Sequence, residues 1–193
     1  LGITAGYIGG RYEIIVMRLT DVQLTIPSIL MALLVDGIAR AIISQSMHDE
    51  MAIYVLIFAI GISEWPQFAR ISRAATLVEK NKEYVEAAQC LALNNRRIIF
   101  SHITPNCMAP LIVVGTLQTA HAISLEATLS FLGLGLPITE PSLGLLIGNG
   151  FEYMYSGDYW ISIFPGIALL ITIVSINLVG DQLRDIFNPR LKR

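Results

Sequence analysis

The sequence predicts an all-α, polytopic membrane protein, and three observations carry that prediction. Hydrophobic residues fill 54% of the 193 positions and charged residues only 15%, whereas a soluble domain carries roughly 25% charged residues. Apolar runs recur at the length of about 20 residues that is needed to cross about 30 Å of hydrocarbon. Lys and Arg are segregated, with 12 of the 13 in three groups set apart by apolar runs, as in cytoplasmic loops. The same composition excludes other classes. A net charge of −2, with no basic patch interleaved with aromatics, gives no footprint for nucleic acid. Cys90 and Cys107 form no CxxC or Cys/His spacing, and His48, His102 and His121 are scattered over three regions, so no metal site is expected.

Taken in order, Leu1 to Ala5 reads as the tail of an earlier apolar helix, since no basic segment, apolar stretch and cleavage site open the chain. The expectation is one membrane domain over 1–193 that lacks its N-terminal helices. Four spans are predicted. Val22 to Ile43 is apolar except for Asp36 and Arg40, read as an outer-boundary pair. Met51 to Ala69 is apolar up to Ser63-Glu64-Trp65-Pro66. Asn106 to Leu125 carries scattered polar residues, and Tyr159 to Val179 is the cleanest. Asp21 is expected to pair locally with Arg18, and Asp181, Arg184 and Asp185 to form an ion-pair cluster after the last span.

Sidedness follows from the basic residues. Arg11 and Arg18 precede the first span; Arg70, Arg73, Lys80, Lys82, Arg96 and Arg97 lie between the second and third; Arg184, Arg190, Lys192 and Arg193 follow the fourth. All three groups belong on the cytoplasmic side, giving an N-in, C-in topology with Arg40 alone near the other face. The outer connection from Phe131 to Asp158 has no Lys or Arg. It is rich in loop-forming Gly and Pro, with Tyr153, Tyr155, Tyr159 and Trp160 suited to an interface belt.

The cytoplasmic stretch between the second and third spans is charged and helical in pattern. Leu77, Tyr84, Ala88 and Leu91 recur at helical spacing, with Val78, Val85 and Ala92 as the adjacent row. An amphipathic helix is therefore predicted over Ala75 to Leu93, ended by Asn94-Asn95, then a short helical run from Arg96 to Ile103. Its acids match its bases, which disfavours a helix lying on lipid. A self-packed connector and a helix presented to a groove on another protein both remain open on pattern. In the third span Gly115, Gln118, Thr119, Ala122 and Glu126 fall within about 100° of one helical face. A face of small and polar residues either lines a solute path or packs tightly on another helix. No GxxxxGK[ST] phosphate loop and no nucleophile–base pair occurs, so no catalytic residue and no cofactor are expected.

Glu86-Ala87-Ala88 followed by Ile103-Thr104-Pro105 resembles the EAA loop of bacterial ABC-importer permeases, here spanning about 70–105. Further blocks run in the order of the peptide and nickel importer permeases: AGYIGG (Ala5 to Gly10), MRLTD (Met17 to Asp21) with IPS (Ile26 to Ser28), PNCMAPLIV (Pro105 to Val113), EATLSFLGLG (Glu126 to Gly135), FPG (Phe164 to Gly166) and NLVGDQLRDIFNPRLK (Asn177 to Lys192). They cover nearly the whole chain. Two positions depart: Ala92 stands where the loop usually has glycine, and Thr104 where it usually has leucine. The resemblance implies a MetI-like helical bundle in the bacterial inner membrane. The implied role is the permease subunit of an importer for peptides, peptide-like solutes or nickel chelates. Glu86, Ala87, Ala88, Ala92, Arg96 and Arg97 would then face the ATPase. Gly115, Gln118, Thr119, Ala122 and Glu126 would be candidates for the solute path. Implied partners are a second permease subunit, two ABC ATPase subunits that bind the ATP, an extracytoplasmic solute-binding protein and membrane lipid. A membrane scaffold without a transport cycle is the competing class. An ion-coupled carrier is disfavoured because the sequence shows no pair of halves with broken helices.

Overall fold

The computed structural model describes residues 1–187, except for the side chains of residues 45, 46 and 48–50. Arg190, Lys192, Arg193 and the His48 side chain therefore lie outside the described residues. Within them the chain is helical: α1 (Gly2–Ile8), α2 (Gly10–Leu24), α3 (Ser28–Ile42), α4 (Gln45–Glu79), α5 (Glu83–Cys90), α6 (Asn95–Arg97), a π-helical segment (Ile98–Ile103), α7 (Thr104–Phe131), α8 (Leu143–Glu152), a 3₁₀ turn (Met154–Ser156) and α9 (Trp160–Phe187). Three stretches are long and apolar enough to span a bilayer: Met51–Glu79, Asn95–Phe131 and Trp160–Phe187.

The expected first span, Val22 to Ile43, is not continuous. α2 stops at Leu24 and α3 begins at Ser28, with Pro27 as an extended N-cap at φ −54°, ψ 134°. Proline supplies no N–H and pushes Ile26 away from helical geometry. The two pieces count as one crossing only as a bent pair, the count that the expected N-in, C-in topology would need. The sequence reading runs one span through Pro27, where the structure has two helices.

The chain divides into two compact units. The first holds Leu1–Thr25, Trp65–Gly115 and 180–187. In it α2 is tied to the second half of α4 by three polar contacts in antiparallel order. Trp65 Nε1 donates to Gln23 at 2.8 Å, Arg70 pairs with Asp21 at 2.7 Å, and Arg73 pairs with Glu13 at 2.5 Å. Asp21 therefore turns to Arg70 rather than to Arg18. A same-helix pair with the base N-terminal to the acid is the weaker orientation, and α4 offers a second guanidinium. α1 lies against α4 so closely that a Cβ on Gly2 would sit 2.1 Å from the Ala69 carbonyl oxygen.

The core of this unit is built from Val85, Ala88, Ile98, Ile103 and Cys107, with Ile3, Tyr7, Ala75, Tyr84 and Leu93 packed around it. Ile98 and Ile103 are five residues apart, so an α-helix would set them about 140° apart. The i→i+5 bonding of the π segment brings them onto one face, and both are fully buried. Pro105 explains the wide turn, because its ring clashes with the carbonyl four residues back in a regular helix. Thr104 donates both its N–H and its hydroxyl to the Ile99 carbonyl, the latter at 2.8 Å.

The second unit holds Ile26–Glu64 and Thr116–Val179. Ala32, Ala59, Leu125 and Leu129 form its core across α3, α4 and α7. α8 packs on α7 with no room for a side chain at Gly144, where a Cβ would lie 2.3 Å from the Ala127 carbonyl oxygen. Phe131 and Phe151 meet edge to face at 5.9 Å, and Ser162 donates to the Ile147 carbonyl at 3.0 Å. Arg40 pairs with Asp36 at 2.7 Å and reaches a cavity of about 380 Å³ beside the 131–138 connection. On α9 large apolar side chains such as Phe164, Leu170 and Ile171 are exposed, as a hydrocarbon solvent allows. Asp181, Arg184 and Asp185 are exposed too, and no ion pair joins them among the described residues.

Candidate functional site

The predicted helix over Ala75 to Leu93 is two helices. α4 runs through to Glu79, a turn occupies Lys80 to Lys82, and α5 restarts at Glu83. The interruption redirects the apolar stripe: Val85 and Ala88 face the core, while Val78 and Leu91 are 65% and 75% exposed. Glu79 fixes the turn, accepting from Lys82 Nζ and from the Tyr84 hydroxyl, each at 2.6 Å. Burial, and then the Glu79 carboxylate, push the Tyr84 phenol up to about 12, so it donates throughout the physiological pH range. Lys80 Nζ reaches the Gly6 carbonyl at 3.1 Å, and Tyr7 donates to Asn95 at 3.1 Å.

On that base α5 presents Glu83, Glu86, Ala87, Gln89 and Cys90 outward. Glu83 and Glu86 occupy its first turn, where carboxylates favour the helix dipole. Ala88 is turned inward at 4% exposure; it forms the floor beneath the exposed face. Glu86 and Gln89 line a cleft of about 490 Å³ with Tyr7, Ile8, Lys80, Asn81 and Asn95. Arg96 and Arg97 are exposed at the start of the next helix, whose N-cap Asn94 accepts from the Arg96 N–H at 3.2 Å. Asn94 opens that helix rather than closing the one before.

α5 is closed by a Schellman motif. The Leu93 N–H donates to the Ala88 carbonyl at 3.2 Å, the Ala92 N–H to the Gln89 carbonyl at 2.9 Å, and Ala92 takes the left-handed position at φ 53°. The end of α7 has the same bonds, Leu134 to Leu129 and Gly133 to Ser130, with glycine at φ 74°. An alanine Cβ costs about 1–2 kcal/mol in that conformation. Ala92→Gly is expected to stabilise α5 by about 1 kcal/mol, read as slower proteolysis of the 80–94 segment.

The α7 face divides in the structure. Gln118 donates to Glu64 of α4, whereas Glu126 accepts from Ser130 one turn on, at 2.7 Å. Ser130 also accepts from the Leu136 N–H at 3.3 Å, pinning the connection that follows α7. Gly115 and Ala122 are half-buried and Thr119 is exposed. The sequence reading misses Glu64 and His121 as site residues. His121 Nε2 lies 3.3 Å from Glu64 Oε1 and 3.2 Å from Ser28 Oγ. The available signal was spacing: His121 falls three residues after Gln118, on the polar side of α7, while Glu64 interrupts an apolar run. Among the described residues no three His, Cys, Asp or Glu side chains are grouped to hold a metal.

Comparison with known proteins agrees with this architecture. The chain is 41% identical over 192 residues to a protein of Brucella suis named as a peptide transport system permease, covering 100% of this chain and 61% of that protein. It is 36% identical over 192 residues to the di/tripeptide transport system permease protein DppC of Pseudomonas aeruginosa, covering 100% and 60%. With the dipeptide transport system permease protein DppC of Haemophilus influenzae it shares 35% over 193 residues, covering 100% and 62%. The chain thus spans about three-fifths of the length of these relatives. The family model described as binding-protein-dependent transport system inner membrane component matches residues 1–193, and the chain belongs to that family.

Proposed function

We propose that this chain is the membrane-spanning permease subunit of an ATP-driven ABC importer that carries peptides, peptide-like solutes or nickel chelates into the cytoplasm. Relatives among those it matches are named peptide and dipeptide permeases, which favours peptides. In this reading ATP is bound and hydrolysed by two separate ATPase subunits. A second permease completes the membrane path, and an extracytoplasmic binding protein delivers the solute. The observation that carries the coupling role is the outward face of α5: Glu86 and Ala87 are exposed on a helix whose opposite side is locked into the Val85–Ala88–Ile98–Ile103–Cys107 core. A helix so anchored transmits a push on its exposed face to α4 and α7, as a two-state transport cycle requires.

Glu86→Lys tests this. In the assembled transporter it is expected to reduce ATPase co-purification and solute-stimulated ATP hydrolysis at least tenfold. The substitution also weakens the first turn of α5 by about 0.3–1 kcal/mol. Glu86→Gln, which removes the charge at constant length, is the companion, with an intermediate loss expected. Retained ATPase subunits and retained stimulation in Glu86→Lys rule the docking role out.

A further inference from the structure

The Glu64 carboxylate lies within a spanning segment and its side chain is only 7% exposed. A charge at that position is costly unless it is compensated. Gln118 satisfies one oxygen, Oε2. The other, Oε1, is buried and accepts no hydrogen bond; His121 Nε2 stands 3.3 Å away without hydrogen-bond alignment. Among the described residues no Lys or Arg pairs with Glu64; Arg40, the sole Lys or Arg of Ile26–Glu64 and Thr116–Val179, is held by Asp36. The His121 side chain is 49% exposed, so its ring is free to leave. Its Nε2 marks a point between two oxygens, Glu64 Oε1 at 3.3 Å and Ser28 Oγ at 3.2 Å.

We propose that Glu64 Oε1 and Ser28 Oγ form an intramembrane receptor for a primary ammonium group, with the His121 imidazole in the ammonium's place while the site is empty. An ammonium carries three N–H donors on one small cation. At the point now held by Nε2 it bonds both oxygens and neutralises the carboxylate with charge-assisted contacts of about 2.7–2.9 Å. A carboxylate or phosphate is repelled there, and a quaternary ammonium has no N–H to give. This rests on the peptide-import reading in one respect only: the ammonium assigned is the free amino terminus of a passing peptide.

The test uses the complete transporter in phosphatidylcholine vesicles, which contain no primary amine. Glu64 is labelled with dicyclohexylcarbodiimide and its N-acylurea measured by mass spectrometry. Methylammonium is expected to slow labelling at least fivefold and tetramethylammonium to leave it unchanged. Equal effects of the two, no effect of either, or no labelling without ligand overturns the site. Dialanine is expected to protect and N-acetyl-dialanine not to. Protection by methylammonium but not by dialanine leaves the ammonium site standing and overturns the peptide as its occupant. Protection on merely adding phosphatidylethanolamine to the vesicles makes that occupant a lipid headgroup and overturns the peptide likewise. Glu64→Gln, which still partners Gln118, is expected to lower dialanine imported per ATP hydrolysed at least tenfold. Import at the wild-type yield, or equal falls in import and hydrolysis, overturns the proposal. Should that variant not assemble, the labelling of the wild-type transporter decides.

Discussion

Ile103→Ala is expected to free α5 from its base and, under the proposed coupling role, to loosen ATPase subunits from the assembly, although Glu86 itself is untouched. Ile103 is completely buried in the small cluster beneath α5, beside Val85, Ala88, Ile98 and Cys107. Truncating a buried isoleucine to alanine costs about 2–5 kcal/mol, because a cavity replaces the lost contacts. The cluster is small and sits under an eight-residue helix, too short to hold itself in water. The loss therefore falls on local opening of the 80–94 segment. Proteolysis that samples the open form rises with its population, so cleavage there is expected to accelerate at least thirtyfold. Leu91→Ala is the control: Leu91 is 75% exposed, and its removal is expected to leave cleavage unchanged. Equal cleavage of wild type and Ile103→Ala means that the buried cluster does not hold α5.

The second large effect is expected where α8 packs on α7. Gly144→Ala places a methyl group 2.3 Å from the Ala127 carbonyl oxygen and 2.6 Å from its Cα, which are backbone atoms that cannot rotate away. Overpacking of this kind costs about 1–3 kcal/mol, and more where the neighbour is rigid. α8 must lift from α7, straining the Phe131–Phe151 contact and the Ser162 bond to Ile147. The purified protein is expected to unfold several degrees lower and, under the proposed function, solute import to fall. Gly166→Ala on α9 has nothing within 4 Å of the added carbon. It exchanges a flexible helical residue for a better helix former and is expected to be neutral or slightly stabilising. Matching melting temperatures for the two variants contradict the close α7–α8 packing.

The three long spanning helices and the exposed helix α5 were legible because each rests on local pattern. Runs of apolar residues, segregated Lys and Arg, and the Glu86-Ala87-Ala88 block are all visible one stretch at a time. What escaped depends on partners far along the chain or on backbone detail. Asp21 chose Arg70 over Arg18, a choice made by how α2 lies on α4. The Glu64–His121 approach joins two spans more than fifty positions apart, and each residue alone looked like an incidental polar interruption. The helix predicted over Ala75 to Leu93 broke at Lys80 to Lys82 although its periodicity continues through the gap. Tertiary packing of Val85 and Ala88, not the repeat, decides where the chain turns. The left-handed bend at Ala92 was hidden because the residue there is not glycine. Pro27 was in plain view, yet a long apolar run masked its effect.

The wide turn at Ile98–Ile103 bears on how any residue of this rod is numbered against a cousin. It inserts the equivalent of one extra position into the spiral, about 100° of rotation on a regular helix. A wheel drawn from Asn95 and carried forward without it points every later side chain, Gln118 and His121 included, at the wrong neighbour. Transfers of function by simple counting across that joint hold only for chains that share the swelling.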